Sequence, residues 1–168
     1  YLGKKGKRMM GWNEILGQNI HNFENAEDYQ PETELSKQSI IHFWRGEVPL
    51  ISDAAQKGYE IVNSLHSETY LDYSYENLPL RRIYHFNPIP EGLDKKYHKN
   101  IIGIGTQMWS EWTPTPKDVE YQIFPRVAAF AEVGWSGTGD YKNFVNRLKN
   151  YSERWSKRDI NFPEEEIK

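Results

Sequence analysis

Four short apolar runs constrain the fold of this chain more than any other sequence feature. They are rich in Ile and Val and lack strict alternation of polar and apolar residues. Such runs are typical of parallel strands that are buried on both faces. Segments long enough for helices separate the runs, and we predict short helices at 32–38 and 53–57. The four runs are 9–12, 39–44, 58–64 and 101–105.

The C-terminal third of the chain predicts two longer helices. Thr115 is followed by Pro and then by an acidic residue, which is typical of a helix start. We predict that this helix kinks at Pro125, because proline lacks the amide hydrogen, and stops at Gly134. Asp140 is positioned to cap a last helix with an apolar face. Alternating strands and helices place the chain in the α/β class, as a barrel or a doubly wound sheet.

Composition narrows the class of protein. With 38% hydrophobic and 27% charged residues, the chain suits a folded domain, and its net charge of −3 disfavours nucleic-acid binding. No apolar run approaches the roughly 20 residues of a membrane span. The absence of cysteine excludes disulfides and thiolate metal sites.

The chain has 168 residues and starts at Tyr1 without an initiator Met, so we expect it to be part of a longer protein. The sequence does not indicate a cellular compartment. A secreted or periplasmic location of the longer protein is one of the alternatives.

Large aromatic residues mark the ends of the apolar runs. Trp12, Trp44, Tyr70 and Trp109 lie 32, 26 and 39 residues apart, the spacing of successive strand–loop–helix units. In a barrel and in a doubly wound sheet alike, ligands bind beyond the carboxyl ends of the strands. We therefore predict that these four residues lie near a ligand site.

Two of these aromatic residues are followed by an acid at the second position, as Tyr70 with Asp72 and Trp109 with Glu111. A strand has period two, so each pair can point to the same side. An indole packs on the apolar face of a pyranose, and carboxylates accept hydrogen bonds from sugar hydroxyls. The pattern favours sugar binding. The alternative is that the tryptophans are core and the acids are solvated rim.

Other common motifs are incomplete. Gly103 and Gly105 begin a dinucleotide fingerprint, but Met108 stands where its third glycine is required. The five histidines form no HExxH or comparable pair. We therefore expect neither a metal nor a cofactor.

Five segments of the chain carry a further signal, namely 11–16, 70–73, 101–111, 124–126 and 131–136. Together they resemble the β-N-acetylhexosaminidases of glycoside hydrolase family 20. The resemblance implies a (β/α)₈ catalytic barrel, of which this chain supplies about strands five to eight with their helices and a C-terminal helix. We assign residues 1–160 to this half-barrel and residues 161–168 to an acidic tail.

The resemblance also implies roles for individual residues. Tyr70 resembles the tyrosine whose hydroxyl holds the acetamido carbonyl of the substrate. Asp72 and Glu111 resemble the carboxylates that bind sugar hydroxyls, whereas Asn13 departs from the aspartate often found at its position. Three tryptophans resemble those that wall the pocket for the terminal N-acetyl sugar, namely Trp12, Trp44 and Trp109.

The catalytic Asp-Glu pair of this family has no counterpart in the chain. The adjacent acids Glu27 and Asp28 lie in a polar segment without the glycines of the family motif. The resemblance thus implies a parent that removes terminal β-linked N-acetylglucosamine or N-acetylgalactosamine from glycans, and a chain that is inactive alone. Two alternatives stay open: a non-catalytic carbohydrate-binding half-barrel, and a structural half-barrel that binds nothing.

A half-barrel has two unpaired edges and one uncovered face. We expect the missing half of the barrel, or a second copy in a homodimer, to cover that face. Alternatively, helices or the irregular segment 78–100 fold over it. The residues we predict to line it are Ile41, Phe43, Ile61, Ile102 and Ile104.

Overall fold

The computed structural model describes residues 1–17, 20 and 35–168. These residues form two compact units. The first comprises residues 1–66 and 88–105, and the second comprises residues 67–87 and 106–168.

The first unit is built on a four-stranded parallel sheet in the sequential order β1-β2-β3-β4. Each strand lies within one of the four apolar runs, so the prediction of parallel strands is confirmed. The order means that every connection returns to the next position in the sheet, as in consecutive strands of a barrel. The strands are β1 Met10–Trp12, β2 Ile40–Phe43, β3 Glu60–Asn63 and β4 Ile101–Ile104.

One face of this sheet packs on helix α1, Pro49–Gln56. Period-two alternation puts Ile41, Phe43 and Ile61 on this face, where they are fully buried with side chains of α1. The prediction that these three residues line the uncovered face is therefore wrong. Each alternate set of β2 and β3 contains at least one apolar residue, so alternation alone does not show which set meets the helices. Ile102, by contrast, is 45% exposed.

Two connections in the first unit differ from the predicted helices. Helix α1 starts earlier than the predicted segment 53–57, with Pro49 in its first turn, where a missing amide hydrogen is tolerated. Of the predicted helix 32–38, residues 32–34 lie outside the described residues, and residues 35–38 are not helical. Short 3-10 helices complete the unit, at Gly3–Lys5, Asn13–Leu16 and Lys95–Asn100.

The second unit is helical. Helix α2, His66–Thr69, lies where the chain passes from the first unit to the second. The remaining helices bury a core of aliphatic and aromatic side chains that includes Leu80, Ile83, Phe130 and Phe144. These helices are α3 Leu80–Tyr84, α4 Pro116–Ile123, α5 Arg126–Ser136 and α6 Tyr141–Lys157.

The predicted helix start at Thr115 is confirmed, because its hydroxyl and the Asp118 carboxylate form a reciprocal capping box. Pro125 divides the predicted kinked helix into two separate helices, α4 and α5. The predicted stop at Gly134 is wrong, since α5 continues to Ser136. The helix ends where Gly137 adopts a positive φ of 74°, and an interior glycine costs only about 1 kcal/mol.

Helix α6 begins as predicted, with the Asp140 carboxylate accepting hydrogen bonds from two backbone amides of its first turn. The segment after it, predicted as an acidic tail, contains the 3-10 helix Glu164–Ile167. Ile167 is buried, and the Glu166 carboxylate accepts a 2.8 Å hydrogen bond from the amide of Leu80. The segment is thus anchored to the second unit, while the domain boundary at 160 stays a prediction.

Candidate functional site

Trp12 and Trp44 come together at the carboxyl ends of neighbouring strands. Trp12 is the last residue of β1, and Trp44 directly follows β2. Their ring centroids are 5.8 Å apart at an interplanar angle of 75°, an edge-to-face contact. Trp12 remains 37% exposed. The pair therefore presents an aromatic surface at the strand ends, where the sequence predicted it.

Two residues that follow Trp12 hold Trp44 in place. Asn13 is fully buried; its amide donates to the carbonyl of Arg45 at 2.9 Å, and its oxygen accepts from the backbone amide of Trp44 at 3.1 Å. Both carboxylate oxygens of Glu14 accept from the Trp44 indole N–H. The turn after β1 thus fixes both the backbone and the ring of the tryptophan after β2.

Tyr70 and Asp72 belong to the second unit and do not lie in a regular strand. Tyr70 forms an isolated parallel bridge with Gln107, and the amide of Leu71 donates to the Gln107 carbonyl at 2.8 Å. Tyr70 is buried, and Asp72 is half-buried in the turn that follows. Because the chain turns here, the argument that alternation points both side chains to one side does not apply.

Trp109 and Glu111 lie in the irregular segment after β4. The prediction that Trp109 closes a strand is wrong, because β4 ends at Ile104. Trp109 is 46% exposed, and Glu111 is also exposed. The bridge at Gln107 brings the backbone that carries Tyr70 beside the backbone that leads to Trp109.

Arg126 anchors the segment that carries Asp72. Its guanidinium is fully buried and donates to the carbonyls of Leu71, Tyr73 and Leu78, and it packs on the ring of Tyr75 with 4.0 Å between guanidinium carbon and ring centroid. Burial lowers the pKa of Arg126 and raises the pKa of Tyr75. One cation thus satisfies three carbonyls of a turn that has no regular ladder of its own.

The sequence interpretation assigned no role to Glu14 or Arg126. The signal for Glu14 was present, since Trp12 and Glu14 repeat the aromatic-x-acid spacing seen at Tyr70 and Trp109. Arg126 lies in a segment on which the family resemblance rests, but an arginine in a sequence gives no sign that it will be buried.

Within the described ranges, no three His, Asp or Glu side chains are grouped as a metal site would require. Among the helices described, none is long and apolar enough to cross a membrane.

Four sequential parallel strands, with aromatic residues at the carboxyl ends of β1 and β2, are the arrangement of consecutive strands in a (β/α)₈ barrel. A family model, the catalytic domain of glycosyl hydrolase family 20, matches residues 1–138. The chain therefore belongs to glycosyl hydrolase family 20.

Known relatives support this assignment, and each is considerably longer than this chain. A β-hexosaminidase of Porphyromonas gingivalis is 29% identical over 174 residues, which cover 96% of this chain and 20% of that protein. The structure of a Vibrio harveyi exo-β-N-acetylglucosaminidase in complex with N-acetylglucosamine matches with a TM-score of 0.75 and 28% identity, covering 96% of this chain and 25% of its own. A Flavobacterium johnsoniae chitobiase matches with a TM-score of 0.70 and 32% identity, covering 94% and 22%. The chain thus spans a quarter or less of these relatives.

Proposed function

We propose that the whole protein to which this chain belongs removes terminal β-linked N-acetylglucosamine or N-acetylgalactosamine from glycans, with retention of configuration. The relatives named above, which include β-hexosaminidases and a β-N-acetylglucosaminidase, support the substrate class. The observation that carries the proposal is the edge-to-face pair of Trp12 and Trp44 at the ends of neighbouring strands. A rigid aromatic surface of this kind suits the apolar face of a pyranose.

The proposed reaction is substrate-assisted. The acetamido oxygen of the substrate attacks C1 as the bond from C1 to the leaving oxygen breaks, and a general acid protonates that oxygen. Water then attacks C1 and gives a proton to the conjugate base of that acid, the bond from C1 to the acetamido oxygen breaks, and the sugar is released. In this proposal the Tyr70 hydroxyl donates to the acetamido carbonyl and holds it in position for attack. Asp72 and Glu111 accept hydrogen bonds from the sugar hydroxyls.

The acid and the carboxylate that orients the acetamide are not among the residues assigned in this chain. We propose that they belong to another part of the whole protein. The chain would then supply the wall that positions the acetamide, while proton transfer depends on groups outside it.

The test is hydrolysis of an aryl β-N-acetylglucosaminide by the full-length protein, with the matching aryl β-glucoside as control. Release from the acetamido substrate alone supports the proposal, because the glucoside lacks the attacking group. Cleavage of the glucoside at an equal rate would contradict a substrate-assisted mechanism. Binding of N-acetylglucosamine without cleavage of either substrate would instead favour the non-catalytic alternative.

A further inference from the structure

Trp12 rests on a support that the sequence did not indicate. Its indole stacks on the imidazole of His42, with ring centroids 4.3 Å apart and planes 20° from parallel. His42 Nε2 in turn lies 2.7 Å from the hydroxyl oxygen of Ser64, a fully buried residue. The three residues come from the first three strands of the sheet or from the position directly after them. They form a continuous series of contacts across the sheet, from a buried hydroxyl to a partly exposed indole.

The backbone of Gly105 packs directly against the Ser64–His42 pair. A Cβ atom at position 105 would lie 2.2 Å from the Ser64 hydroxyl oxygen and 3.1 Å from His42 Nε2. The first distance is shorter than any that real side chains show, so a larger residue would displace the pair. The backbone of Gly105 is not in the left-handed region, so glycine serves here to leave space rather than to permit a turn.

We propose that His42 and Ser64 are positioning residues that set the plane of the Trp12 indole and thereby the affinity of the site for its sugar. The link to sugar affinity rests on the proposed function. A histidine ring can rotate about its bond to Cβ, and a hydrogen bond at Nε2 holds it in one orientation. Because the Trp12 indole stacks face to face on that ring, a fixed imidazole fixes the indole plane.

Burial lowers the pKa of His42, which keeps the ring neutral near pH 7. A neutral imidazole has one donor and one acceptor nitrogen and forms a hydrogen bond with a hydroxyl in either tautomer. The hydrogen bond between His42 and Ser64 therefore does not depend on a charged imidazole.

The first test observes Trp12 directly and does not depend on activity. The full-length protein is labelled with 5-fluorotryptophan, and the Trp12 fluorine resonance is assigned by its loss in Trp12→Phe. In Ser64→Ala and Gly105→Ala we expect this resonance to shift or broaden, because the indole samples more than one plane. Gly103→Ala is the matched control, since a Cβ there meets no atom within 4 Å, and it should leave the resonance unchanged. An unchanged resonance in Ser64→Ala would overturn the proposal, and Ser64→Ala remains informative if Gly105→Ala fails to fold.

The second test measures kinetics of the same full-length variants with an aryl β-N-acetylglucosaminide. Ser64→Ala should raise KM about three- to tenfold with little change in kcat, because a misoriented Trp12 indole packs less well on the sugar while the reacting groups are unchanged. The same substitution in a Trp12→Ala background should have no further effect, because His42 and Ser64 act through Trp12. An equal effect in both backgrounds would show that they act by another route. If the wild-type protein cleaves no such substrate, the proposed function fails, and the fluorine spectra still decide whether the support exists.

Discussion

Both carboxylate oxygens of Glu14 accept a hydrogen bond from the indole N–H of Trp44, with N···O distances of 3.1 and 3.0 Å. The contact joins the turn after the first strand to the end of the second. It gives Trp44 an orientation that neither segment would fix alone. Glu14 therefore holds the aromatic surface formed by Trp12 and Trp44 in position.

Glu14→Ala should weaken sugar binding by the full-length protein. A hydrogen bond to a charged group contributes about 1.5–3 kcal/mol, so loss of this one should raise KM for an aryl β-N-acetylglucosaminide about tenfold or more. Glu14→Gln keeps one acceptor oxygen and should retain much of the affinity. Glu47→Ala, at an exposed acid after the second strand, is the control. Equal KM values for Glu14→Ala and Glu47→Ala would refute the role.

Tyr70→Phe should lower kcat more than it raises KM. The hydroxyl would matter most as the acetamido oxygen becomes the nucleophile, and loss of one well-placed donor typically costs about 10²-fold in kcat. Steady-state kinetics of the full-length variant provide the measurement, with circular dichroism to show that the buried ring still packs. A change confined to KM would contradict the proposed role.

Arg126→Met should destabilise the protein strongly. The substitution leaves three carbonyls of the segment 71–78 without their shared donor, and each buried unsatisfied group costs about 1–3 kcal/mol. Arg126→Lys should recover only part of this loss, because an ammonium cannot span carbonyls that a planar guanidinium reaches together. Urea unfolding of both variants, with Arg158→Met as an exposed control, measures the difference. A loss below about 1 kcal/mol for Arg126→Met would show that the contacts do not matter.

The stability of the protein should depend on His42 at acidic pH. Its pKa is lowered in the folded state, so below about pH 6.5 the unfolded chain takes up a proton that the folded chain resists. The free energy of unfolding should therefore fall as the pH drops below that value and be unaffected by His42 above it. Denaturant titrations at about pH 5 and about pH 8 should show a smaller difference in His42→Gln than in the wild type. An identical pH dependence in the two proteins would mean that His42 titrates equally in both states.

The chain of 168 residues should not cleave an aryl β-N-acetylglucosaminide by itself. General acid catalysis contributes about 10²–10⁴-fold, and its residue is proposed to lie elsewhere in the whole protein. The assay compares the chain with the full-length protein at equal concentration. Activity in the chain that Glu111→Gln abolishes would show that the acid has been assigned wrongly.

The isolated chain should associate with a second copy of itself rather than remain a monomer. Met10 and Ile102 are 51% and 45% exposed, on the two outermost strands of the described sheet. Exposed edge strands can pair with another chain, so sedimentation equilibrium across a range of concentrations is the appropriate measurement. A monomer at every concentration would exclude the homodimer.

The sequence by itself determined the strands, the parallel sheet and the family. Short runs of Ile and Val between helical segments can be read from local composition, because burial on both faces requires apolar residues at successive positions. Capping residues such as Thr115 and Asp140 act within one turn of their own position, which is why both helix starts were predicted correctly.

Only the tertiary structure decided which face of the sheet meets the helices and which residues support the aromatic surface of Trp12 and Trp44. The sequence did not show which face of the sheet Ile41 and Phe43 occupy, because the other alternate set also contains apolar residues, Ile40 and Val62 among them. Glu14 contacts Trp44, 30 positions away, His42 contacts Ser64, 22 positions away, and Arg126 contacts Leu78, 48 positions away. A side chain shows its own chemistry in the sequence, but its partner is chosen by the folding of the backbone between them.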